Sequence, residues 1–260
     1  MADYSIIRKS RNTLSSFLHV LMNILLGVGS ISVTLISGSW ILGIILVLIS
    51  KWRIFAVRPR YWLLNLKSSL VDLIVGASFV VLAYLSGTEI LPIHILLAAL
   101  YTIWLIFIKP KTKNPYPLIQ SLFATFLGST AALIATTSVD SIVFVLIEFL
   151  IGYGASRHLF AQTSEGSFTL VTFACGLLYA ELAWLCSTWS IIYSFGSTGI
   201  IVPQFSIILT LSAFAFAKAA TSVLRHDGEV RYKEVLPPTA FSLILIAVIV
   251  FAFSNPIFNV

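Results

Sequence analysis

The sequence predicts an all-α fold: a polytopic integral membrane bundle of about nine transmembrane helices forming one domain over 1–260, with no soluble domain. Three observations carry that prediction. Of the 260 residues 58% are hydrophobic and only 10% are charged, against roughly 25% charged in a typical soluble domain. The mean hydropathy is +1.00. Apolar runs close to one membrane thickness recur from end to end, each closed by basic or turn-forming residues. Such a chain has too few polar side chains to cover itself in water, whereas in lipid a helix satisfies its own backbone.

A basic tail, 1–13, carries Arg8, Lys9 and Arg11 ahead of the first run, Leu14 to Ile36. That run reads as a span and not as a cleaved leader, because it is long, lacks a small-residue cleavage pattern and is followed by further spans. The turn "SGSW" (Ser37 to Trp40) leads into the second run, Ser39 to about Ala56. Its apolar part stops at Ser50, so the helix is expected to continue past Lys51 and Arg53 with those side chains snorkelling to the surface. The basic, aromatic stretch at 50–67 (SKWRIFAVRPRYWLLNLK) reads as a cytoplasmic loop lying on the membrane, with Arg58 and Arg60 around Pro59 meeting anionic headgroups.

The third run is Ser68 to Ser86, turned by "LSGTE" into the fourth, Ile90 to Ile108. A loop at 109–116 opens with "KPKTK" and precedes the fifth, Pro117 to Thr137, and the sixth, Ser141 to Ser156. Loop 157–167 leads to the seventh, Phe168 to Thr188; the eighth is Pro203 to Ser222, and loop 223–237 leads to the ninth, Pro238 to Phe253. Pro92, Pro117, Pro203 and Pro238 are expected in the first turns of their spans, where a missing amide hydrogen costs little.

Charge provides an independent reading of topology. If the chain zigzags through these runs, all 16 lysines and arginines fall on one side, while the opposite loops carry Glu89 and Asp140 and no basic residue. By the positive-inside rule the N-terminus is cytoplasmic and the C-terminus outside. Trp52, Tyr61, Trp62, Trp104 and Tyr116 are then expected near the inner interface, and Trp40, Tyr84, Trp184, Trp189 and Tyr193 near the outer one. The localisation implied is integral membrane, in the plasma membrane of a prokaryote. The net charge of +6 points to anionic lipid headgroups as the partner, with a second copy or another membrane protein as further partners, and not to nucleic acid.

The sequence contains no zinc pattern, P-loop, HExxH or GxSxG, so no metal, cofactor or catalytic residue is assigned. Cys175 and Cys186, eleven residues apart in one span, are too far apart along a helix to bridge.

Chemistry is therefore sought among ionisable groups inside the spans, which are costly there and mark functional sites by default. Glu148 and Glu181 each lie about eight residues from the outer end of adjacent spans, roughly 12 Å deep. Two carboxyls at matched depth form a candidate proton or cation site; the bland reading makes each a hydrogen-bonded helix link. Asp72 and Lys218, both in the inner leaflet, form a candidate ion pair, unless Lys218 snorkels alone. Lys51, Arg53, Arg58, Arg60, Lys67, Arg157 and His158 are candidates for binding lipid headgroups or anions, Glu165 lying in the same loop as the last two. Small residues in "GVGS" (Gly27 to Ser30), "GYGAS" (Gly152 to Ser156) and "AFAFAKAATS" (Ala213 to Ser222) predict close helix packing.

Three functional readings follow. The first is a small transporter with the carboxylates as its proton or cation site. The second is a structural or assembly subunit using the same residues as internal links. The third is an interfacial enzyme on lipid-linked phosphates, which requires Arg58, Arg60, Lys67, Arg157 and His158 to converge and has no nucleophile or metal group in its favour. A retinal-type Schiff base at Lys218 is disfavoured by its position near the inner surface.

Overall fold

The structure, a computed structural model, describes residues 2–54, 56–87, 91–113, 115–161, 168–187, 191–194, 200–226 and 229–253, with side chains described from residue 15 onward apart from Arg53. All nine apolar runs are helical. They form α1 (Ala2–Ser37), α2 (Trp40–Ile49), α4 (Leu70–Leu85), α5 (Pro92–Ile103) with a π-helical continuation (Trp104–Ile108), α6 (Tyr116–Thr136), α7 (Ser141–Phe160), α8 (Phe168–Cys186), α9 (Gln204–Arg225) and α10 (Tyr232–Ala252). A short α3 (Trp62–Ser68) precedes α4. Among the described residues, six helices are long and apolar enough to cross a membrane: Ser15–Ser37 of α1, then α6, α7, α8, α9 and α10. A seventh is added if Pro59–Ser68 and α4, bent by 66° at their junction, are one broken span. The chain is an all-α, multi-pass membrane protein.

Several boundaries differ from the sequence reading, each for a local reason. α1 begins at Ala2 and not at Leu14, since no helix breaker separates the basic tail from the apolar run. α2 stops at Ile49 and does not carry Lys51 and Arg53 onward; a 3₁₀ turn, Trp52–Ile54, follows. The 50–67 stretch is partly folded, with a 3₁₀ turn at Pro59–Tyr61 running into α3. α7 continues to Phe160, so Arg157 and His158 occupy its last turn and not a loop. α10 starts six residues before Pro238, which puts Pro237 and Pro238 inside the helix and not at its start. The connection between α8 and α9 holds a two-stranded antiparallel hairpin, β1 (Ile192–Ser194) and β2 (Ile201–Pro203), with Tyr193 opposite Val202.

α6 is the central helix, packed against α4, α7 and α9. Its apolar stretch is 61% buried, while that of α10, which leans on α9, is 6% buried. Two cores flank it. One joins α1, α4, α5 and α6, where Phe79 stacks on Tyr101 at 5.1 Å and Trp104 on Phe123 at 5.1 Å. Trp104, expected at the inner interface, is thus a core residue with 1% exposure. The other joins α6 to α9 and includes Ile151, Ala183, Phe205 and Leu209.

Turns between helices follow their chemistry. Gly38 and Gly87 adopt φ of +60° and +104°, conformations side chains resist. At the second of these turns His94 Nδ1 accepts the Leu91 N–H at 3.1 Å, so its Nε2 carries the proton and donates to the Ala83 carbonyl at 3.0 Å. Across the bundle, Gln204 at the start of α9 donates to the Tyr193 hydroxyl (2.9 Å) and to the Ile249 carbonyl of α10 (3.1 Å), tying the hairpin to both helices.

Candidate functional site

The most deeply placed ionisable group is Glu148 on α7, whose side chain has no solvent exposure. Ser129 of α6 donates its hydroxyl to Glu148 Oε2 at 2.9 Å. Oε1 is buried and, among the described residues, has no hydrogen-bond partner. Helical spacing builds a polar seam away from this acid. On α6, Ser121, Thr125 and Ser129 follow at steps of four and so share one face. Ser121 donates to the Ala155 carbonyl at 2.9 Å, and Thr125 meets the Tyr179 hydroxyl of α8 at 3.1 Å. On α7, Gly152 and Ser156 continue the Glu148 stripe; Ser156 donates to the Gly152 carbonyl at 2.7 Å and reaches the Thr172 carbonyl of α8 at 3.4 Å. The glycine is required there, because a Cβ on Gly152 would stand 2.5 Å from the Tyr179 ring.

Where α6 begins and α7 ends, the seam meets a second polar group. Asp72 Oδ2, in the first turn of α4, binds Lys51 Nζ at 2.5 Å and Lys109 Nζ at 3.3 Å. Lys109 follows the π-helical segment, its N–H donating to the Trp104 carbonyl at 2.9 Å. Gln120 ties that helix end down, its Nε2 donating to the carbonyls of Ile108 (2.7 Å) and Lys111 (2.9 Å). Gln120 Oε1 pairs with His158 Nε2 at 2.5 Å. Five chain segments are thus pinned at one end of the bundle: the turn after α2, the start of α4, the end of α5, the start of α6 and the last turn of α7.

The candidates from sequence land as follows. Glu148 is buried, but Glu181 lies on the exposed face of α8, opposite the face that carries Tyr179 and Gly176 against α7, and the structure does not bring the two acids together. The Asp72–Lys218 pair does not form: Asp72 is taken by Lys51 and Lys109, and α6 stands between α4 and α9. Equal depth did not imply adjacency. Lys218 sits over the Phe214 ring at 5.6 Å. Arg58 is exposed ahead of the 3₁₀ turn, Arg60 lies 4.6 Å over the Tyr61 ring, and Lys67 edges a groove with Phe149, Tyr153 and Phe173. Arg157 is half-buried at the end of α7. The Arg53 side chain and Glu165 lie outside the described residues. Among those residues no three His, Cys, Asp or Glu side chains are grouped to hold a metal ion.

Sequence reasoning passed over Ser129, Lys109, Gln120 and Tyr179. The step-of-four hydroxyls on α6 were a readable signal, facing the Glu148–Gly152–Ser156 stripe. No family model, curated protein or solved structure matches this chain.

Proposed function

We propose that this protein is a small membrane transporter of nine spans, N-terminus inside and C-terminus outside, in which Glu148 alone is the proton or cation site. The observation that carries this reading is the burial of Glu148 with one oxygen held by Ser129 and the other without a protein partner among the described residues. A buried polar atom left unmatched costs on the order of 1–3 kcal/mol, and an ionisable side chain in a span is retained where chemistry uses it. A proton on Oε1, or a cation beside it, supplies the missing partner. The hydroxyls of Ser121, Thr125, Ser156 and Tyr179 lie along the same seam and mark the side from which the site is served.

Support for the topology comes from the charges. Lys51, Lys109 and His158 gather at one end of the bundle with Asp72 and Gln120, the end that the positive-inside rule assigns to the cytoplasm. The test is proton flux in liposomes loaded with a pH-sensitive dye and driven by a potassium diffusion potential. Wild type and Glu181→Gln are expected to carry flux, and Glu148→Gln to abolish it. Equal dye response in liposomes with wild type, with Glu148→Gln and without protein would leave the acid as a structural link, the role its Ser129 bond also fits.

A further inference from the structure

The displaced lysine, Lys218, leads to a second site. α8 rests on α7, and α9 rests on α6 and α10, leaving a cleft between α8 and α9. The cleft encloses about 140 Å³ and is walled mainly by apolar side chains, among them Leu122, Leu182 and Ala213, with Leu178 and Phe216 at its exposed rim. Towards the basic end of the bundle Leu118 and Leu159, which wall the cleft, also wall a second cavity of about 320 Å³ that adjoins it. That cavity is lined by Lys218, Thr221 and Arg225, which lie on one face of α9 at steps of three and four. Among the described residues its one carboxylate is Glu234, which is engaged with His226 at 3.2 Å. Among the described residues neither Lys218 nor Arg225 has a carboxylate partner, so the cavity keeps an excess of positive charge.

A cationic chamber at the membrane surface beside an apolar slot that opens sideways has the polarity of one molecule: an anionic head with a hydrocarbon tail. A slot of this volume is comparable to a roughly 150 Å³ cavity that holds benzene, so it takes about six carbons of a single chain. The remainder runs out past Leu178 and Phe216 into the bilayer. We propose that the cleft between α8 and α9 binds one anionic phospholipid, its phosphate held by Lys218 and Arg225 and the first part of one acyl chain enclosed by α6, α8 and α9. The occupant is a lipid and not free phosphate because the charged chamber stands directly beside an apolar slot, with Leu118 and Leu159 lining both. The slot shares Ser121, Thr125, Ser156 and Tyr179 with the seam that leads to Glu148, but the assignment does not rest on the chemistry proposed for that acid.

Native mass spectrometry of the full chain, released from detergent after incubation with equimolar phosphatidylglycerol and phosphatidylcholine of matched chains, tests it. Wild type is expected to retain one phosphatidylglycerol in preference to phosphatidylcholine by about tenfold or more. The double variant Lys218→Gln/Arg225→Gln should lose that preference. Lys111→Gln/Lys113→Gln, which removes as much positive charge from the same side, should keep it, and Ala213→Phe, which fills the slot, should reduce retention of both lipids. Retention unchanged in Lys218→Gln/Arg225→Gln, equal loss in Lys111→Gln/Lys113→Gln, or displacement of the lipid by inorganic phosphate would overturn the proposal. Arg225→Gln alone, at the exposed end of α9, serves if the double variant does not fold.

Discussion

At the scale of single residues, the account turns on which groups Glu148 and Asp72 touch. Removing the Ser129 hydroxyl strips Glu148 of its donor, so Ser129→Ala is expected to cost roughly 1–2 kcal/mol in a denaturation titration. Glu148→Gln keeps an oxygen for Ser129 and is expected to stay within about 1 kcal/mol of wild type, separating its functional loss from any loss of fold. Asp72→Asn leaves Lys51 and Lys109 facing each other without their shared carboxylate, at a cost of about 3 kcal/mol. A double-mutant cycle sharpens the correction to the pairing. Asp72→Asn with Lys51→Gln should show a coupling energy above about 0.5 kcal/mol, while Asp72→Asn with Lys218→Gln should be additive within about that margin. Coupling to Lys218 would contradict the observed pairing.

At the scale of elements, the bundle depends on close approach at a few glycines. Gly152 is the contact point of α7 with Tyr179, and Gly176 presses α8 on Phe149, where an added Cβ would come within 2.9 Å of the ring. Gly152→Val must push Tyr179 away from Thr125. It is expected to destabilise the protein by about 1–3 kcal/mol and to impair Glu148 function without touching the acid, whereas Ala83→Gly, a buried change in the core of α1, α4, α5 and α6, should leave function intact. Wild-type flux from a correctly folded Gly152→Val protein would argue against the seam. Apolar runs and small-residue motifs made nine of the ten described helices legible in the sequence, all but α3, because in lipid hydropathy and backbone satisfaction decide where a spanning helix lies. Helix ends were less legible. The break after Ile49 and the extension of α7 to Phe160 depend on Lys51 finding Asp72 and His158 finding Gln120, and those partners come from elsewhere in the chain. For the same reason Glu148 could be read as a buried site while its partner could not. Depth follows from counting residues along a helix, but the facing direction of Glu181 follows from how α8 rotates against α7.

For the whole molecule, two ends of different character define how it sits in a bilayer. One end collects the Asp72 cluster, Gln120, His158 and the cationic chamber of α9; the other collects the His94 turn and the hairpin tied down by Gln204. Single cysteines introduced in a Cys175→Ala/Cys186→Ala background test that orientation. Lys113→Cys is expected to react with a membrane-impermeant maleimide only after the cells are permeabilised, and Ser138→Cys in intact cells; labelling of both from the same side would reject the zigzag. The central claim is that Glu148 exchanges its proton or a cation with water and is not a sealed helix link, and infrared difference spectroscopy of the reconstituted protein tests it most directly. A carboxyl band that shifts in heavy water, changes with bulk pH and is absent from Glu148→Gln is the predicted result. A Glu148 band indifferent to heavy water and to pH, together with loss of stability in Glu148→Gln, would contradict it.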